Sequence, residues 1–97
     1  RCLMTVCNNR AYFNDERHQE AIAVKRGRPA ENKWIGLRID DPDIDIAAIA
    51  RGQGATAIGP VKQLADVGPA IEQGIATVSA GGVCVIDMRV QPGYDVE

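Results

Sequence analysis

No apolar stretch in this 97-residue chain approaches the length of a bilayer-spanning helix. The N-terminus lacks the charged-then-apolar order of a signal peptide, so a soluble, cytoplasmic protein without membrane contact is expected. An excess of one charge sign is missing as well: 11 basic against 13 acidic side chains leave −2. The bases Arg17, Lys25, Arg26, Arg28, Lys33 and Arg38 alternate with acids, the pattern of a solvated mixed-charge face, and nucleic acid is not an expected partner. There is no Cys-x-x-Cys pair. Cys2, Cys7 and Cys84 are odd in number, and they read as small buried core residues of a reducing compartment. Internal repeats, low-complexity segments and a glycine-rich phosphate loop are all lacking.

What is present fits one small domain, residues 1–97. "CLMTVC", residues 2–7, is a continuous apolar run that predicts a strand covered on both faces. From Asp15 to about Arg26, acids in the first turn and bases in the last suit a helix capped by Asn14 and ended by Gly27 and Pro29. Residues 28–42 have no clean period, and Trp34, Ile35, Leu37 and Ile39 are expected to pin a long loop against the body. In "DIDIAAIARGQGA", Asp43 or Asp45 can cap a short helix with Ile46, Ile49 and Ala50 on one face, closing at Gly52 or Gly54.

"TAIGPVK", residues 56–62, predicts a brief strand interrupted by Gly59 and Pro60. A third helix fits "DVGPAIEQGIATVSA", with Asp66 as its cap, Ile71, Ile75 and Val78 at helical spacing, and Gly81 and Gly82 beyond its end. Gly74 weakens its interior by about 1 kcal/mol relative to alanine. "VCVIDMRV", residues 83–90, is the strongest strand, and its consecutive apolar residues predict a central position. Strands alternating with helices predict an α/β fold with a parallel sheet and right-handed crossovers.

The pair Asn8 and Asn9 falls where the first strand gives way to the first helix. Asparagine suits a turn because its side chain hydrogen-bonds nearby backbone. A strand end feeding a helix is also where open α/β sheets bind ligands, and an amide oxygen is a neutral ligand for a hard cation such as magnesium. Helix-dipole binding of an anion near Gly59 or Asn14 is a further positional option.

A strand ending in Asn-Asn, a helix, "DIDIAAIARGQGA", a short strand, an alanine-rich helix and "VCVIDMRV" followed by "QPG" resemble one known domain. It is the C-terminal half of the diphosphate-binding domain of thiamine-diphosphate-dependent enzymes, in the acetolactate synthase, benzoylformate decarboxylase and benzaldehyde lyase-like branch. The resemblance covers nearly the whole chain, with its specific chemistry in the Asn-Asn pair. It implies a three-layer αβα fold in which the last strand lies between the other two. It also implies a cofactor site using Asn8, Asn9 and Ala11, where the Asn9 side-chain oxygen and the Ala11 carbonyl hold magnesium. Asn14, Asp15 and His18 would then face a substrate.

That family's motif opens with Gly-Asp-Gly roughly two dozen residues before Asn-Asn, across one crossover. Here the sequence begins at Arg1, so the Gly-Asp-Gly end is missing, as is the glutamate that another domain supplies to activate the cofactor. The resemblance therefore implies a fragment of a 2-keto acid decarboxylase, C–C lyase or acetolactate synthase-like transferase. Its cofactors would be thiamine diphosphate and Mg2+ in the parent enzyme, without tight binding or catalysis by this chain alone. Its expected partners are the remainder of the parent or another copy of itself. The alternative is a stand-alone small α/β binding or subunit-interface module without catalysis.

Overall fold

The computed structural model describes residues 1–93. Three strands and three helices run in the order β1 (Cys2–Asn8), α1 (Phe13–Lys25), α2 (Ile46–Gly52), β2 (Thr56–Val61), α3 (Leu64–Ser79) and β3 (Val83–Arg89). The strands form one parallel sheet in the order β1-β3-β2, so the most apolar strand is central as its sequence requires. The chain divides into two compact units. The first comprises Arg1–Asn9 and Asp45–Val90 and holds the sheet with α2 and α3. Among the described residues, the second is built around Arg10–Ile44 and holds α1.

In the first unit, alternate residues of β3 point to opposite faces. Cys84 and Ile86 are fully buried on one face in a cluster with Val61 and Ala70, and Leu3, Ile58, Val67, Ile71 and Met88 pack around them. Helix α3 brings Val67, Ala70 and Ile71 to this cluster. Gly74 is buried in the same contact, because a Cβ there would stand 2.7 Å from Leu3 Cδ1 and 3.2 Å from Ile86 Cδ1. The weak helix former thus lets α3 approach β1 and β3 closely. The crossover from β1 to β2 passes over β3, while β2 to β3 returns in the opposite direction. Parallel crossovers are right-handed almost without exception, which places α2 and α3 on opposite faces.

Several local expectations are corrected. Helix α1 begins at Phe13, with Tyr12 at its N-cap and Asn14 inside the first turn, because the Tyr12 carbonyl already accepts from Glu16 N at 3.1 Å. Helix α3 starts at Leu64 after Gln63, which leaves Asp66 within its first turn. The buried residue of α2 is Ala47, while Ile49 is 58% exposed. A small side chain permits the close approach to the sheet that the Ile46, Ile49 and Ala50 face would have prevented. Ile75 is also exposed, because α3 turns its Ala70 and Gly74 side inward. Strand β1 is an edge strand with Met4 51% exposed, so it is not covered on both faces. Cys2 and Cys7 are exposed with it, and Cys84 alone is a core thiol.

Asp45, one of the two caps proposed for α2, accepts from Ala48 N at 2.8 Å. Asp45→Ala is expected to lower the unfolding free energy by about 1 kcal/mol, and Asp45→Asn to retain most of it, in urea titrations at fixed protein concentration.

In the second unit, successive turns carry residues 30–37 back to the start of the unit. Tyr12 N donates to Leu37 O at 2.7 Å and Ile39 N to Arg10 O at 2.8 Å, framing an antiparallel bridge between Ala11 and Arg38. Polar contacts help to hold this segment. Buried Glu16 accepts from Arg38 Nη2 at 3.1 Å, the Arg38 guanidinium lies 5.8 Å from the Trp34 ring centre, and Lys33 pairs with Glu20 at 2.7 Å. Trp34, Ile35 and Ile39 are themselves exposed, which corrects their expected role as apolar pins.

Candidate functional site

Because the three strands are parallel, their carboxyl ends lie along one margin of the sheet, the usual location of ligand sites in open α/β folds. Asn8 ends β1 beside Arg89 of β3. Its side chain is buried, and Nδ2 donates to Asp87 Oδ1 at 3.1 Å. Its carbonyl accepts from Val90 N at 3.2 Å. Asn8 is thus held through both side chain and backbone. Asn9 follows with its N–H donating to Cys7 O at 3.1 Å, which folds the chain into a tight turn, and Arg10 takes a left-handed φ of 55°.

Asp87 is the centre of this arrangement and has no exposed surface. Its Oδ2 lies 3.9 Å from Arg89 Nε and makes no hydrogen bond among the described residues. The backbone of Gly59 covers it. A Cβ on Gly59 would stand 2.6 Å from Asp87 O and 3.0 Å from Asp87 Cβ. The space over Gly59 is therefore filled by β3, and Gly59 sits within β2, five residues before α3, rather than at a helix start suited to an anion. A hollow of about 230 Å3 opens further along the same margin, between Val61, Lys62, Leu64, Met88 and Arg89.

The proposed ligand residues fall in separate units: Asn8 and Asn9 close the first segment of one, and Ala11 lies in the bridge of the other. Asn14, Asp15 and His18 all lie exposed on α1, and their spacing puts them on one side of that helix. His18 borders an open hollow of about 340 Å3 with Gln19, Ile22, Arg26 and Arg28. Among the described residues no group of three or more His, Cys, Asp or Glu side chains could hold a metal ion.

Sequence reasoning missed Asp87 and Arg89. The available signal was an acid between Ile86 and Met88 in the most apolar strand, a place where burial demands a partner. No family model matches the chain, and neither does any curated protein or solved structure.

Proposed function

We propose that this chain is the C-terminal part of a thiamine-diphosphate-binding domain, and that its Asn-Asn turn contributes to a magnesium-diphosphate site. The observation that carries the reading is the fixed Asn8 at the carboxyl end of a parallel strand. Its amide N–H is committed to Asp87, so Asn8 anchors the turn that Asn9 enters; the resemblance assigns the metal-facing oxygen to Asn9. The resemblance adds the Ala11 carbonyl as a second oxygen donor. Magnesium takes six oxygens and usually shares them with phosphate and water, so the residues fit part of such a site.

When bound, the cofactor supplies the carbanion stabilisation by which a 2-keto acid or acyloin is cleaved or joined. This chain would bind and orient its diphosphate end, and none of its residues is assigned a catalytic role. Asn14, Asp15 and His18 are the residues proposed to line the substrate side. The three free thiols, two of them exposed, suit a reducing, cytoplasmic setting. Among the described residues no helix is long and apolar enough to cross a membrane.

Two ligands cannot fix metal and diphosphate together, so calorimetry of the 97-residue chain with thiamine diphosphate and Mg2+ is expected to show no saturable binding. The encoding gene is expected to carry an in-frame Gly-Asp-Gly upstream of Arg1. The chain extended through that segment should bind the cofactor in a magnesium-dependent way and lose it on Asn9→Ala. Tight magnesium-dependent binding by the 97 residues alone, or a start codon beside Arg1, overturns the fragment reading.

A further inference from the structure

Helix α1 closes on a left-handed glycine. Gly27 N donates to Val24 O at 3.1 Å and Arg28 N to Ala23 O at 2.8 Å, with Gly27 at a φ of 63° that glycine adopts without strain. The chain leaving the helix is thereby folded back against its last turns. His18, Ile22 and the C-cap residue Arg26 follow at intervals of four and share one stripe of the helix. With Arg28 and Pro29 they border the open hollow of about 340 Å3, a volume at the lower end for small-molecule sites. No acidic side chain lines it. Among the described residues, none of His18, Arg26 and Arg28 is paired with a carboxylate, whereas Lys33 and Arg38 of the same unit are matched to Glu20 and Glu16. Lys25 in the last turn already offsets the helix dipole, which leaves Arg28, beyond the helix, without that task. Half-buried Ile22 and Ala23 supply an apolar surface in the same hollow.

We infer that this hollow binds a small organic oxyanion, a carboxylate or phosphate carried on a compact apolar body. Charge decides the first half of that class. Two guanidinium groups bordering one hollow repel each other, and an oxyanion between them relieves the repulsion through charge-assisted hydrogen bonds. The apolar surface decides the second half, because Ile22, Ala23 and Pro29 offer no polar side chain to a ligand. His18 stands about 12 Å along the helix axis from Arg26, a span that admits one ring-sized body between the two. The inference concerns α1 and its closing turn, needs no magnesium and does not rest on the thiamine diphosphate reading. The same arginines disfavour the cationic ring of that cofactor.

Amide nuclear magnetic resonance of the isotope-labelled chain, titrated without magnesium, tests the site. Phenyl phosphate and benzoate are each expected to shift amides between His18 and Arg28 saturably, and the tighter of the two identifies the oxyanion. Benzyl alcohol keeps the ring without the charge, and inorganic phosphate keeps the charge without the ring. Both should bind more weakly than phenyl phosphate. Arg26→Ala and Arg28→Ala are each expected to weaken phenyl phosphate at least about tenfold, with unchanged far-ultraviolet circular dichroism. Should either variant lose helix signal, the comparison of charged and neutral probes on the unmodified chain still decides. Shifts that do not saturate or that centre outside this segment, affinity unchanged in both variants, or a neutral alcohol or bare phosphate that binds as well as phenyl phosphate overturns the inference.

Discussion

Gly59→Ala is expected to destabilise the protein by about 3 kcal/mol, read as a fall in the urea midpoint at fixed protein concentration. Two penalties coincide at this position. Its φ of 130° is a backbone conformation that L side chains rarely adopt, and the added Cβ would meet Asp87 O at 2.6 Å. The obstructing atoms are backbone of the central strand. Relief therefore requires β2 to move away from β3, with loss of pairing around a fully buried side chain. Against a total stability of roughly 5–15 kcal/mol for a domain, such a loss is large. Gly54→Ala is the matched control, because Gly54 has φ 90° with no neighbouring atom within 4 Å of its Cβ position. The excess cost at position 59 measures the close approach to Asp87. Equal effects at the two glycines would show that the approach contributes nothing.

The second large effect is expected at Asn8. Asn8→Ala removes the only hydrogen bond to Asp87 Oδ1 among those described, while Oδ2 already has none. A carboxyl group with no exposed surface and no donor is costly, so a loss of about 3 kcal/mol is expected. Asp87→Asn should cost less, about 1 kcal/mol, because an amide oxygen can still accept from Asn8. In an Asp87→Ala background the Asn8→Ala change should become mild, since the group it served has gone. A double-mutant cycle by urea unfolding should therefore return a coupling of at least about 1 kcal/mol. Additive losses would separate the two residues energetically. The same variants bear on the proposed site, because Asn8 is the anchor from which the Asn9 turn departs.

The pair also explains why the site was only partly legible beforehand. Asn8 and Asn9 stood out because neutral amides directly follow an apolar run, and their place at a strand end was correctly anticipated. Nothing local distinguished the surroundings of the two. The difference depends on Asp87, 79 positions away in sequence, which accepts from the first amide, while the second lies beyond the end of the strand. Gly59 read only as an interruption of its strand for the same reason: the requirement for glycine comes from the backbone of another strand.

Periodicity and composition alone determined the number, type and order of the elements, and they put the most apolar strand at the centre of a parallel sheet. Such patterns are local, and burial on two faces leaves a continuous apolar run that needs no partner to be read. Asp45 as a cap was likewise legible, because capping is settled within a few residues. Tertiary structure decided which side of each helix turns inward. Hydrophobicity favoured Ile49 and Ile75, but close approach to the sheet selected Ala47, Ala70 and Gly74. It also decided that β1 lies at an edge with Cys2, Met4 and Cys7 exposed, although its apolar run reads like that of the central strand. Asp87 gained its role in the same way, because a buried carboxyl group takes its meaning from the donor that reaches it.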